Sequence, residues 1–266
     1  MLKDITIGQY IPGNSLIHRL DPRTKILAVI IYMTALFIIN NAIGYYFILL
    51  FSLIIILLSR VPISFYLKGL KPLLIIIFLT VGLHFFMTPG TPVANLGPFV
   101  ITQEGVKQGV FMGTRLILLV TVTSILTLTT TPIALTDGIE RLLSPFKKIG
   151  VPAHELAMMM TIALRFIPTL IEETDKIMKA QMARGADFES GNILQRAKAL
   201  IPLLVPLFLG AFRRADDLAM AMEARCYRGG ENRTRMKQLN FTSLDTSAFV
   251  VTAVVLMVTI FTRFIR

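Results

Sequence analysis

Residues 26–59 read ILAVIIYMTALFIINNAIGYYFILLFSLIIILLS, 34 positions without one Asp, Glu, Lys, Arg or His. One bilayer crossing takes about 20 apolar residues, so a run of this length holds two crossings. Asn40, Asn41 and Gly44 stand in its middle and read as the tight turn between them. Further apolar runs cover 72–87, 109–130 and 248–265, which brings the expected number of crossings to five. The overall composition agrees: 54% of the chain is hydrophobic, a level that soluble domains rarely reach. The expected fold is all-α, a polytopic membrane bundle of about five transmembrane helices with long helices outside it.

Charge sets the orientation. His18, Arg19, Arg23 and Lys25 precede the first crossing, and Arg60, Lys68 and Lys71 lie between the second and third. The segment 131–240 carries 16 Lys/Arg and 12 Asp/Glu, whereas the loops after the first and third crossings hold almost no positive charge, Lys107 excepted. By the positive-inside rule, 1–25, 60–71 and 131–240 face the cytoplasm, and the C-terminus, with Arg263 and Arg266 as a mild violation, lies outside. The expected organisation is therefore 1–130 as a cytoplasmic N-terminal segment with helices one to four, 131–240 as cytoplasmic or in-plane helices, and 241–266 as the last crossing. The net charge of +11 does not indicate nucleic acid, because the basic residues flank membrane segments and mix with acids. The first 25 residues have no apolar core, so no cleavable leader is expected. Cys226 is the sole cysteine and cannot form an internal disulfide.

The segment 131–240 opens on Thr130-Thr131-Pro132, a helix start with proline in the first turn. A short amphipathic helix is expected over 133–148, broken by Gly150-Val151-Pro152. A long helix follows over 153–184, containing Pro168 and Arg165, apolar in its first half and charged in its second. The next segment repeats the plan over 193–229, with Pro202 and Pro206 in the apolar half. Each apolar half could itself cross the membrane. The first is only about 15 residues and holds Arg165, and arginine at mid-bilayer costs roughly 3 kcal/mol or more, so helices lying partly in or under the membrane are preferred.

The two long helices end alike. Asp175, Ala180, Ala183 and Arg184 match Asp216, Ala221, Ala224 and Arg225 at identical spacing, with Gly185 and Cys226 next. In each copy the alanines and the arginine fall at i, i+3 and i+4, one helix face. A basic residue at a helix C-terminus is ordinary by itself, since the macrodipole favours it. Two matched copies point further: smooth alanine sides admit a close neighbour, and an arginine fork pairs with a carboxylate. Such a plug, made twice, suits a soluble partner present in two copies or as a related pair. Cysteine takes the left-handed cap conformation less readily than glycine, so the second helix is expected to end at Gly229-Gly230.

Several stretches resemble one family. Tyr10-Ile11-Pro12-Gly13-Asn14-Ser15 and His18-Arg19-Leu20-Asp21-Pro22-Arg23-Thr24-Lys25 look like its opening, and Thr102-Gln103-Glu104-Gly105 with Arg115 like its fourth span. Thr129-Thr130-Thr131-Pro132 and Ala163-Leu164-Arg165-Phe166-Ile167-Pro168 resemble its coupling segment, and Met182-Ala183-Arg184-Gly185 its Ala-Arg-Gly signature. On these the chain is identified as resembling the transmembrane (T) component of energy-coupling factor transporters, the EcfT/CbiQ family. Ala224-Arg225-Cys226 departs from the Ala-Arg-Gly usual there. The resemblance implies a non-catalytic scaffold in the cell membrane, with coupling helices in the cytoplasm. Arg184 with Ala183 and Gly185, and Arg225 with Ala224 and Cys226, would dock two ATP-binding-cassette ATPases. Ala180, Ala221, Asp175, Asp216, Arg165 and Pro168 would support them. A separate membrane component would capture the substrate, a vitamin or metal ion. No cofactor is expected on this chain, ATP and magnesium belonging to the partners, and the inequality of the two tips suits a non-identical ATPase pair.

Other chemistries find little support. His18, His84 and His154 are the three histidines, and His154-Glu155 lacks the second histidine of a zinc-protease helix. No phosphate-binding G-x-x-x-x-G-K-[ST] loop and no G-x-S-x-G elbow occurs. A stand-alone secondary transporter would place ionisable groups in its spans, where only His84, Arg115 and terminal Arg263 stand. A lipid-modifying enzyme would need clustered acids, histidines or a nucleophile, and none cluster. His84 is expected to be packed or hydrogen-bonded, Arg115 to snorkel or pair, and Arg165 to brace Glu172 or Glu173. Met158, Met159 and Met160 suit either a core or a surface that repacks against a mobile partner.

Overall fold

The computed structural model of the chain describes residues 10–96, 99–188, 190, 192–230 and 238–264. The polar opening is organised by caps. Ser15 caps a single turn, α1 (Leu16–Arg19). Asp21 caps α2 (Pro22–Ile38), with Pro22 at the first position, where a missing N–H costs nothing. After a break at 39–41 comes α3 (Ala42–Ser59). The turn is tighter than Asn40, Asn41 and Gly44 suggest, since Gly44 already lies in the first turn of α3, where a Cβ would stand 2.9 Å from Ile39.

The segment 60–71, between the second and third crossings, is largely helical: α4 (Ile63–Leu70), a 3-10 turn at Lys71–Leu73 and α5 (Leu74–Met87) make one near-continuous element. Pro72 does not end it because it sits at the start of the 3-10 turn, where its ring is tolerated. One short hairpin accompanies the helices. After Thr88-Pro89-Gly90 stops α5, β1 (Pro92–Leu96) and β2 (Phe99–Thr102) form an antiparallel hairpin with Leu96 opposite Phe99. There follow α6 (Gln103–Thr129), α7 (Pro132–Leu143), a 3-10 stretch Ser144–Ile149, α8 (Ala153–Ala183), α9 (Ile193–Ala224) and α10 (Ser243–Phe264). The fourth and fifth crossings thus begin several residues before 109 and 248. Ile265 and Arg266, and the expected cytoplasmic residues 1–9, lie outside the described residues.

Among the described residues six stretches are long and apolar enough to cross a membrane: Ala42–Ser59, Ile63–Met87, Gln103–Thr129, Ala153–Ala183, Leu194–Ala224 and Ser243–Arg263. α2, at 17 residues, spans about 26 Å of rise. The polytopic helical fold is therefore as expected, while α8 and α9 meet the length and composition of a span as well.

The described residues fall into two compact units, one of 10–138 with 238–264, the other of 139–230. In the first, Tyr32, Ala35, Leu36 and Ile39 of α2 pack with Tyr45 and Ile48 of α3 and with Leu118 and Val122 of α6. α2 and α10 run parallel. At their starts the buried Asp245 carboxylate accepts the Asp21 N–H at 2.7 Å, and at their far ends Asn41 Nδ2 donates to the Thr262 carbonyl at 2.8 Å. Lys25 Nζ, buried, donates to the Thr129 carbonyl at 2.9 Å and Thr130 Oγ1 at 3.1 Å, tying the end of α6 to the same corner. The His18 ring bonds Ser15 Oγ and the Ile11 carbonyl. The polar opening motif is thus the clasp at one end of the bundle.

At the other end Arg115 pairs, as expected, by donating to the Ile39 carbonyl at 2.9 Å beside the Phe37 ring. α5 lies against α6 through three glycines one turn apart. A Cβ at Gly105 would meet the His84 carbonyl at 2.6 Å, at Gly109 the Phe85 ring at 2.6 Å, and at Gly113 Val81 Cγ2 at 2.9 Å. Small residues at this spacing let two membrane helices approach backbone to backbone. Away from α6, α5 is bare, with Phe78 83% and Ile75 78% exposed. Such a surface requires an apolar surrounding.

Candidate functional site

Both long helices of the second unit stop in the same way. α8 ends at Ala183, and Arg184 caps it at φ −91°, ψ 7°. α9 ends at Ala224, and Arg225 caps it at φ −92°, ψ 12°. The next residue is left-handed in both, Gly185 at φ 87° and Cys226 at φ 55°. The Gly185 and Ala186 amides donate to the Met182 and Gln181 carbonyls, both at 3.0 Å. The Cys226 and Tyr227 amides donate to the Glu223 and Met222 carbonyls at 2.8 and 3.0 Å. These are two copies of one Schellman cap, which satisfies carbonyls that a helix end otherwise leaves open.

The expected end at Gly229-Gly230 is therefore corrected. Cysteine does enter the left-handed region, because two cap hydrogen bonds outweigh a steric cost of about 1–2 kcal/mol. Gly229 turns left-handed at φ 86° only after the helix has closed. Arg184, Arg225, Ala180, Ala183, Ala221 and Ala224 are all exposed, as are Gly185 and Cys226, the latter a free thiol. The supporting aspartates differ: Asp175 is half-buried and pairs with Lys179 at 2.8 Å, whereas Asp216 is exposed.

α8 and α9 cross at a point that the repeat itself marks. Glu173 accepts from Arg214 Nη2 at 2.5 Å, and these residues stand 41 apart, the same offset that relates Arg184 to Arg225. At the crossing Gly210 keeps the helices close, since a Cβ there would lie 3.2 Å from the Glu173 carboxylate. Equivalent positions of the two copies thus touch, with opposite charge. Each arginine follows its crossing residue by 11 positions, or about 16 Å of helix. The brace expected from Arg165 to Glu172 or Glu173 is not formed; Glu173 is taken by Arg214, and among the described residues no acid stands against the exposed Arg165. This lock was missed in the sequence, although Glu and Arg at one repeat position were its visible signal.

α8 passes through Pro168, and α9 through Pro202 and Pro206, without interruption. The apolar half of α9 bares a stripe of one face, with Ile201, Val205, Phe208 and Phe212 more than half exposed. Met159 and Met160 of α8 are exposed too. Beyond the second cap the chain folds back. His154 Nε2 lies 3.1 Å from the Tyr227 hydroxyl and Nδ1 lies 3.0 Å from Glu140 Oε1. Tyr227, just past the end of α9, thereby meets the first turn of α8, so the helices cross antiparallel. Among the described residues no His, Cys, Asp and Glu gather as metal ligands.

Comparison with known proteins agrees with this architecture. The family model CbiQ, cobalt transport protein, matches residues 13–236. The chain is 64% identical over 264 residues to an energy-coupling factor transporter transmembrane protein, EcfT, of Thermosediminibacter oceani, covering 99% of this chain and 100% of that protein. It is 59% identical over 265 residues to the protein of that name from Clostridium kluyveri, covering 99% and 98%. The Bacillus subtilis protein of that name is 53% identical over 251 residues, covering 94% and 95%. With spanning helices in place and this likeness running nearly end to end, the chain belongs to the CbiQ family of multi-pass membrane transport proteins, among its energy-coupling factor transmembrane members.

Proposed function

We propose that this chain is the scaffold of an energy-coupling factor transporter, linking ATP hydrolysis by two associated ATPases to uptake of a micronutrient. A separate membrane component would capture that substrate, a vitamin or a metal ion. The observation that carries the reading is the pair of helix ends closed by the same cap. Each projects a solvent-exposed arginine from a closed cap, flanked by exposed alanines. A guanidinium exposed on a slim tip is built for a carboxylate on another surface. The antiparallel crossing at Glu173 and Arg214 sets the two tips at equal reach, which suits two ATPase subunits of like shape. The αL cysteine at one tip against glycine at the other supports a non-identical pair. ATP-driven movement of the ATPases would turn the crossed helices. Their bare apolar halves would hand that motion to the capturing component through the membrane. ATP and magnesium reside on the ATPases in this scheme.

The test replaces both arginines by glutamate and measures ATPase co-purification and substrate uptake. Loss of both is expected, since each tip would then meet a carboxylate with a like charge. Intact assembly with full uptake would reject docking by these tips.

A further inference from the structure

The two tips share one cap but do not share one cost. Gly185 holds φ 87° freely, and a Cβ built there meets nothing within 4 Å. Cys226 holds φ 55° with a side chain, a conformation that costs an L-residue about 1–2 kcal/mol. The two cap hydrogen bonds outweigh that cost, but by less than at Gly185, so the second cap opens more readily unless something else holds it. Tyr227 supplies the outer amide of the cap, bonded to the Met222 carbonyl at 3.0 Å, and its hydroxyl lies 3.1 Å from His154 Nε2. His154 is itself oriented by Glu140 at 3.0 Å. A neutral ring with its proton on Nδ1 donates to that carboxylate and leaves Nε2 to accept from the phenol. The backbone of Gly230 closes the other side, lying so near that a Cβ would stand 2.5 Å from His154 Cδ2. The ring is thus held by the Glu140 carboxylate and the Tyr227 phenol, with the Gly230 backbone close against it.

We propose that His154, oriented by Glu140, is a positioning residue for the second arginine: through Tyr227 it holds the strained Cys226 turn and fastens that tip to the first turn of α8. α8 then serves both tips, bearing Arg184 at its own end and holding Arg225 at its beginning. This rests on the docking role of the arginines. It adds that a residue on the other helix clamps the weaker of the two caps and makes good its smaller margin, and that the tips are mechanically joined.

The decisive variant is Tyr227→Phe, which removes one hydroxyl and little else, made in the full chain with the co-expressed ATPases of its own transporter. Hydrogen exchange at the Cys226 and Tyr227 amides should quicken about fivefold, the equivalent of one net hydrogen bond. The Gly185 and Ala186 amides should not change. ATPase retained at limiting concentration should fall by a similar factor. Adding Cys226→Gly should restore retention, because a glycine turn needs no clamp; a general folding defect would not be rescued this way. Unchanged exchange, quickened exchange with full retention, or a loss that glycine does not repair would each overturn the proposal. Arg225→Ala in parallel separates the two layers. If it leaves retention intact, docking by that arginine fails, and the positioning role falls with it. If it lowers retention while Tyr227→Phe does not, docking stands and the clamp alone is refuted.

Discussion

At Cys226 two preferences compete, and the outcome shows what one residue's propensity decides. The side chain disfavours φ 55°, yet the cap gains two hydrogen bonds to the Glu223 and Met222 carbonyls by adopting it. Cys226→Gly should therefore stabilise the turn by about 1 kcal/mol, read as slower exchange of the Tyr227 amide, and Gly185→Ala should loosen the first cap by a similar amount. Propensity alone put the helix end five residues too late. The correcting partner, His154, is 73 positions away from Tyr227, a separation that no local pattern reports. Lys25 makes the same point in the bundle. Read from the sequence it is an orienting charge; in the fold it is 6% exposed and bonds the His18 and Thr129 carbonyls and Thr130. Lys25→Met should leave those acceptors unpaired and cost about 1–3 kcal/mol, measured as a lower melting temperature in detergent.

Between elements, the meaning of a sequence pattern depends on which helix lies against it. Gly105, Gly109 and Gly113 stand at four-residue spacing in plain view, and their meaning appears once α5 is seen to lie on them. Alanine at each site should rank by what its methyl meets. Gly105→Ala strikes the His84 carbonyl, which cannot rotate away, and should lower the melting temperature most. Gly113→Ala strikes a valine methyl that can shift, and should cost less. Gly82→Ala, with nothing within 4 Å, should be neutral or stabilising by up to about 1 kcal/mol, since glycine weakens a helix interior. A reversed order would refute close α5–α6 packing. The same reasoning applies to the crossing of α8 and α9. The repeat gave the arginines directly, but the meeting of Glu173 with Arg214 needed the third dimension. Glu173→Arg or Arg214→Glu alone should release the crossing and reduce uptake. The charge-swapped double variant should recover most of it, because the pair is restored with its sense inverted.

For the whole molecule, hydropathy and charge made the helical membrane fold legible, since a bilayer leaves few structures for uncharged runs of this length. They left α8 and α9 ambiguous. Both helices are apolar and long enough to cross, yet each carries a charged half and a cationic end. Composition cannot separate a span from a helix that lies against another membrane protein, because both expose the same side chains to apolar neighbours. Sidedness of the bundle is the part that charge does address. Within that unit one end gathers Ser15, Asp21, Lys25 and Asp245, and the other gathers Asn41, Arg115 and Thr262. At the second end Arg115 is spent on the Ile39 carbonyl and Lys107 lies over the Phe111 ring, with Arg263 the mild violation, while the first end carries exposed Arg19 within the basic opening cluster, the end that the positive-inside rule assigns to the cytoplasm. Asn14 and Asn40 are exposed residues at these two ends and so report opposite sides. In a Cys226→Ser background, a membrane-impermeant maleimide applied to intact cells should label Asn40→Cys and not Asn14→Cys. Permeabilised cells should label both. Labelling of Asn14→Cys from outside would invert the bundle and place its basic clasp on the wrong side of the membrane. The opening cluster His18, Arg19, Arg23 and Lys25 would then owe its charge to the clasp alone and not to orientation.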